Sequence, residues 1–104
     1  MAVYFQSHTT GFNANVISAV PGKRIRVRRL IFSTAVNTSF TLRQDVGGGN
    51  QADIAATLQG RTGAGAMDLR FEQEMPQTAP GEALGYFTDG FGNYGVWIEY
   101  DLAD

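Results

Sequence analysis

The sequence predicts an antiparallel β-sandwich, jelly-roll-like in the spacing of its strands, and three observations lead there. No window of about 11 to 18 residues holds apolar residues at helical spacing. The β-branched and aromatic residues fall instead in short runs, as strands require. Between those runs lie Pro21-Gly22, a Gly-Gly-Gly-Asn stretch ending at Asn50, residues 60–65, residues 76–81 and Asp89-Gly90-Phe91-Gly92-Asn93. Each suits a turn, because proline fixes φ and glycine supplies positive φ at no steric cost. Short strands at about ten-residue spacing with such turns indicate a sandwich or jelly roll rather than a parallel sheet.

The elements follow in order. Residues 1–13 form an N-terminal arm with Val3, Tyr4, Phe5 and Phe12 set among polar residues. The segment reads equally as a strap that orders on a partner surface and as a first edge strand. Residues 14–104 make one β-sandwich domain, with strands expected at 14–20, 23–34, 38–44, 51–58, 66–72, 83–88 and 94–101. The second of these is the clearest. Ile25 and Val27 alternate with Arg24, Arg26 and Arg28, placing two apolar residues inward and three guanidiniums outward. The phase then changes at Leu30 and Phe32, and a β-bulge near Arg28-Arg29 restores it. Apolar residues are sparse in 51–58, so a strand there competes with a short helical turn. In the last strand Trp97 and Glu99 alternate with Val96, Ile98 and Tyr100, which turns Trp97 outward if one face is buried. Two corners are entered alike, Pro21-Gly22-Lys23 and Pro80-Gly81-Glu82 each leading into an apolar strand.

Composition narrows the functional classes. A chain of 104 residues with 43% hydrophobic residues buries roughly two thirds of its unfolded surface in one core. Cysteine is absent, which removes disulfides, thiolate metal sites and cysteine nucleophiles together. Neither a secretory signal nor an apolar run long enough for a membrane span is expected. The formal charge of −2 conceals a division along the chain. Seven of the eight basic residues precede residue 66, where only Asp45 and Asp53 oppose them, and eight of the ten acids follow, against Arg70 alone. Either the two halves pair across one sheet, or a basic stripe is offered to a partner.

That stripe, Lys23 to Arg29, is the sharpest local feature. Nucleic-acid readers add stacking aromatics and a basic overall charge, and neither accompanies it. An acidic protein surface, which suits planar guanidinium forks, is the functional alternative to a solvated face matched by neighbouring acids. His8 is the only histidine, so a serine–histidine–acid arrangement would have to use it, and a structural or solvated His8 is the expectation. Asp89 and Asn93 have the spacing of a calcium-loop opening, but Phe91 and Tyr100 occupy positions that need oxygen ligands. Glu72 and Glu74 share a strand face with no sign of a desolvated acid. No catalytic residue, cofactor or metal site is assigned. Trp97 and Phe91 are candidates for an oligomer interface.

Residues 19–33, Ala-Val-Pro-Gly-Lys-Arg-Ile-Arg-Val-Arg-Arg-Leu-Ile-Phe-Ser, resemble small structural proteins of tailed bacteriophages. Residues 38–42, the Pro80-Gly81-Glu82-Ala83-Leu84 corner and residues 95–100 extend the resemblance over about residues 15–101. It implies a capsid decoration, or cement, protein: a jelly-roll-like sandwich that assembles as dimers or trimers on the outer capsid surface of the virion, without an active site. The partners so implied are the major capsid protein and further copies of the chain, with no nucleic acid and no membrane. Arg24, Arg26, Arg28, Arg29, Tyr4 and Phe5 are then the candidates for capsid contact. The alternative is a carbohydrate- or receptor-binding sandwich of a phage tail fibre or spike, with Trp97 as a stacking platform.

Overall fold

The computed structural model describes residues 1–61, 66–90 and 92–104, which form nine strands and no helix. They are β1 (Ala2–His8), β2 (Phe12–Ile17), β3 (Arg24–Thr34), β4 (Thr38–Gln44), β5 (Ala52–Asp53), β6 (Leu58–Gly60), β7 (Ala66–Arg70), β8 (Leu84–Thr88) and β9 (Tyr94–Ala103). One sheet has the order β1-β9-β3-β7, and the other β2-β8-β4-β5 with β6 also on β4. All pairings are antiparallel. The first four strands alternate between the sheets and β8 and β9 return between them, which is the arrangement of a jelly roll. The chain is an all-β sandwich, as its sequence predicts.

Alternation fills the space between the sheets. Ile25, Val27, Leu30 and Phe32 descend from β3, and Val96 and Ile98 from β9. Phe40, Leu42, Leu84 and Tyr86 meet them from β4 and β8. The Phe40 ring lies 5.1 Å from Phe32 across the core and 5.1 Å from Tyr86 within its own sheet. These separations are ordinary for aromatic pairs, which hold a core beyond their area alone. Along β3 the pairing with β9 runs Val27 to Tyr100 and then Arg29 to Glu99, so Arg28 is an extra residue. This bulge keeps Leu30 and Phe32 in phase with Ile25 and Val27. Without it Arg29 would face the core, where an unpaired guanidinium is costly.

Some elements depart from expectation. The opening segment is laid down as β1, paired without interruption to β9 from Ala2 opposite Tyr100 to His8 opposite Tyr94. Strand β2 begins two residues early, because Phe12 packs 4.8 Å from Tyr86 and its N–H donates to Thr88 Oγ1 at 3.0 Å. The expected strand at 51–58 is two short strands instead. Between them Ile54 and Ala55 both turn against the core, which a continuous two-residue alternation forbids. Strand β9 runs to Ala103, two residues further than expected, with Leu102 and Ala103 opposite Ile25 and Arg24. The two Pro-Gly corners are alike in structure: Gly22 has φ 74° and Gly81 φ 77°, the positive φ a type II turn requires at its third position, each after a proline suited to the second. They are also neighbours, with Gly81 N–H donating to the Lys23 carbonyl at 2.8 Å.

Candidate functional site: the outer face of the four-stranded sheet

The outer face of the β1-β9-β3-β7 sheet collects most of the residues singled out by the sequence, and register decides how. Phe5, Trp97, Ile31 and Asp68 form one row across the four strands. Val3, Glu99, Arg29 and Arg70 form the next. Phe5 is 67% exposed and Trp97 37%, and their rings stack at 5.4 Å with planes 19° apart. Trp97 Nε1 donates to Glu99 Oε2 at 2.9 Å, fixing the indole along its strand. Phe5 covers one face of the indole, and Ile31 is the cross-strand neighbour of Trp97 on β3. A sugar stacks on faces; an apolar ridge suits a protein surface. Tyr4, one residue along from Phe5, is turned inward by alternation and bonds Tyr86 through its hydroxyl at 2.9 Å. It therefore lies on the opposite face from Phe5. Phe91 lies outside the described residues.

The basic residues from Lys23 to Arg29 divide into two groups. Lys23, Arg28 and Arg29 pair with acids of the second half of the chain. Lys23 meets Asp104, Arg28 meets Asp101, and Arg29 holds Asp68 in a two-pronged contact at 2.7 and 2.9 Å with Glu99 at 3.5 Å. The Met1 ammonium adds a contact of 3.5 Å to Asp101. Hydrogen bonding to Arg29 holds the Asp68 carboxyl below its ordinary range, and Arg28 and Lys23 do the same for Asp101 and Asp104. So three of the seven basic residues before residue 66 are matched by acids after it. Arg24 and Arg26 differ, being held by neutral acceptors: Arg24 by the Thr78 carbonyl at 3.4 Å and Arg26 by Gln77 Oε1 at 3.2 Å. Among the described residues neither forms an ion pair with a carboxylate.

His8 sits between the sheets rather than in a mobile segment. Its Nε2 shares a hydrogen bond of 2.6 Å with the Tyr86 hydroxyl, and its ring lies 4.5 Å from Phe12 and 5.1 Å from Tyr94. Burial lowers the His8 pKa, and burial followed by the bond to Tyr4 raises that of Tyr86. A phenol pushed up in this way holds its proton, the opposite of an activated nucleophile. Beside it the Phe12 N–H donates to Thr88 Oγ1, whose hydroxyl donates to Tyr94, whose own hydroxyl donates to the Thr10 carbonyl at 2.5 Å. This relay ties the β1–β2 turn to the core. Sequence reasoning did not find it, because it depends on β2 pairing with β8, which sets Phe12 opposite Thr88, 76 positions away.

On the far flank an apolar slot of about 150 Å³ opens between the sheets, lined among others by Leu30, Leu42, Leu58, Leu69 and Phe71. It carries no titratable side chain. Among the described residues no group of three or more His, Asp or Glu side chains is placed to hold a metal ion. No family model, no curated protein and no solved structure matches this chain.

Proposed function

We propose that this chain is a bacteriophage capsid decoration protein that binds the outer surface of the major capsid protein shell and stabilises the head by bridging capsomers. The observation that carries the reading is the outer sheet face, where the Phe5–Trp97 ridge and the carboxylate-free Arg24 and Arg26 lie on one pleated surface. An apolar anchor beside uncommitted guanidiniums is what a protein surface with acidic groups would be met by. The resemblance of residues 15–101 to small phage structural proteins supplies the partner. A packaged genome presses outward, and a clamp across two capsomers must itself let go before they can part. Copies that act together hold even when each binds weakly, because later contacts become intramolecular.

The test is rebinding of purified protein to particles stripped of it, followed by heating. Rebinding with a higher rupture temperature is expected. Arg24→Glu combined with Arg26→Glu is expected to weaken docking, most at low salt, with the loss narrowing as salt screens the charges. Absence of rebinding at low salt overturns the reading. The second reading, a carbohydrate- or receptor-binding domain of a tail fibre or spike, is carried by Trp97 alone. Its mark is quenching of Trp97 fluorescence on a glycan array without affinity for shells.

A further inference from the structure

We propose that β1 pairs antiparallel with the β1 of a second copy, about a twofold axis through Phe5, so that two four-stranded sheets join into one of eight strands.

The argument begins with charge. All ten acids and all eight basic residues of the chain lie from Lys23 onward; residues 1–22 contain none. Those residues supply both β1 and β2, and each is the end strand of its sheet. The two end strands on this flank therefore carry no formally charged side chain except a protonated His8, and Arg43 of β4 bonds β2 only at Asn13. A surface meant for water alone has no need of this, whereas depletion of charge marks the buried centre of an interface.

Open strand edges template pairing with other chains, and proteins guard them with charges, bulges, prolines or shortness. Three of the four edges here are guarded. Strand β7 carries Asp68 and Arg70, β5 and β6 have two and three residues, and β2 is interrupted by a register shift between Asn15 and Ile17. Strand β1 has seven residues in unbroken register, with neither charge nor proline, and exposes Val3 by 44% and Phe5 by 67%. It is the unguarded edge.

A second copy fits this edge better than a partner chosen by charge. Uncharged strands meet their own kind without like-charge repulsion, and β1 offers an oppositely charged partner nothing. Symmetry then limits the register. Inward residues must face inward residues, so the axis passes through a residue and not between two. Phe5 is the midpoint of Ala2–His8, and an axis there uses all seven residues: Phe5 faces its twin, Tyr4 faces Gln6, Val3 faces Ser7 and Ala2 faces His8. The exposed row Ile31–Trp97–Phe5 then continues through the junction into its symmetry mate. The most exposed aromatic side chain of the outer face becomes its centre.

Size sets the expected strength. Seven strand residues span about 23 Å, and the sandwich is 20 Å in its shortest dimension. The flat outline is about 460 Å² per copy, below the ~800 Å² per partner of a standard interface. The dimer is therefore expected to depend on concentration.

The experiment uses the full chain. Sedimentation is followed from about 1 µM to about 1 mM, a range chosen for an interface below standard size. Because cysteine is absent, Phe5→Cys carries a unique thiol, and a short bismaleimide should convert most of it to a covalent dimer; Arg70→Cys, on the opposite edge, should remain largely uncoupled. Phe5→Lys places like charges face to face and should weaken association at least about tenfold. Its melting temperature in the dilute monomer should fall by less than about 8 °C, since the side chain is mostly exposed and only the stack on Trp97 is lost. A monomer throughout that range overturns the proposal, as does a dimer indifferent to Phe5→Lys, equal coupling of Arg70→Cys, or β1 binding only to a different protein. The result is separable from the capsid reading, for a β1-paired dimer that ignores capsids sustains this inference and defeats that one.

Discussion

Replacing Tyr86 by Phe removes one oxygen from the centre of the molecule and leaves the ring. The hydroxyl bonds His8 Nε2 at 2.6 Å and the Tyr4 hydroxyl at 2.9 Å, in a residue with no exposed surface. The ring keeps its neighbours Phe40 and Phe12 at 5.1 and 4.8 Å, so little cavity opens. The loss is then two hydrogen bonds at a net of about 0.5–1.5 kcal/mol each, or about 1–3 kcal/mol together. For a domain of this size each kcal/mol moves the midpoint by about 5 °C, so Tm should fall by roughly 5–15 °C. Thermal unfolding followed by far-ultraviolet circular dichroism measures the shift, and urea unfolding the free energy. His8→Phe is the companion variant, because the folded His8 pKa lies below 6.5 owing to burial. At and above that pH the stabilising contribution of a neutral imidazole is present. As pH falls, the unfolded chain takes up the proton first, and stability declines until the folded imidazole titrates. His8→Phe should flatten the slope on the acid side of pH 6.5. A Tyr86→Phe variant within about 0.5 kcal/mol of the parent, a margin set by ordinary surface substitutions, refutes the account of the hydroxyl. An unchanged slope in His8→Phe refutes the account of the imidazole.

Gly85→Ala should destabilise by about 1–3 kcal/mol in the same assay. A Cβ there would stand 2.3 Å from the Ala14 carbonyl oxygen, a backbone atom of β2 with little room to move. Thr38→Val should leave stability equal or raise it by up to about 1 kcal/mol in thermal melts. Its buried Oγ1 finds no hydrogen-bond partner among the described residues, and the swap removes a desolvated group at nearly constant shape. Acid unfolding should begin as pH drops below the ordinary aspartate value of 3.8, since Asp68, Asp101 and Asp104 all titrate lower when folded and give up their ion pairs on protonation. Arg29→Met should move that midpoint to higher pH by releasing Asp68, as a pH titration of ellipticity would read.

The strand pattern was legible wherever one face is buried and the other wet. In β3 even the bulge was visible, because Arg29 interrupts an apolar alternation that Leu30 resumes one residue out of phase. The outward aspect of Trp97 followed from the same two-residue count. Strand β1 was ambiguous for a physical reason: both of its faces carry residues of intermediate character, and its status is set by β9, far along the chain. Of the two uses open to the basic stripe, the pairing of Arg28 and Arg29 across the sheet was foreseen in kind, but which arginines would be left over was not. That depends on Gln77 and Thr78 arriving beside Arg26 and Arg24, a juxtaposition no local spacing encodes. The enclosure of His8 was hidden likewise, since its partners come from β2, β8 and β9.

The place of β9 has a consequence for how the molecule comes into being. It follows the other eight strands in sequence, yet it lies in the interior of its sheet, between β1 and β3. A chain still tethered to the ribosome can close the sheet that holds β2, β4 and β8, but its other half stays open until the final strand is threaded into the gap. Strand β1 must wait for its neighbour until residues 94–103 have been made. Pairings so distant along the chain carry a large loop-closure entropy, and folding on the millisecond-to-second scale is the expected result.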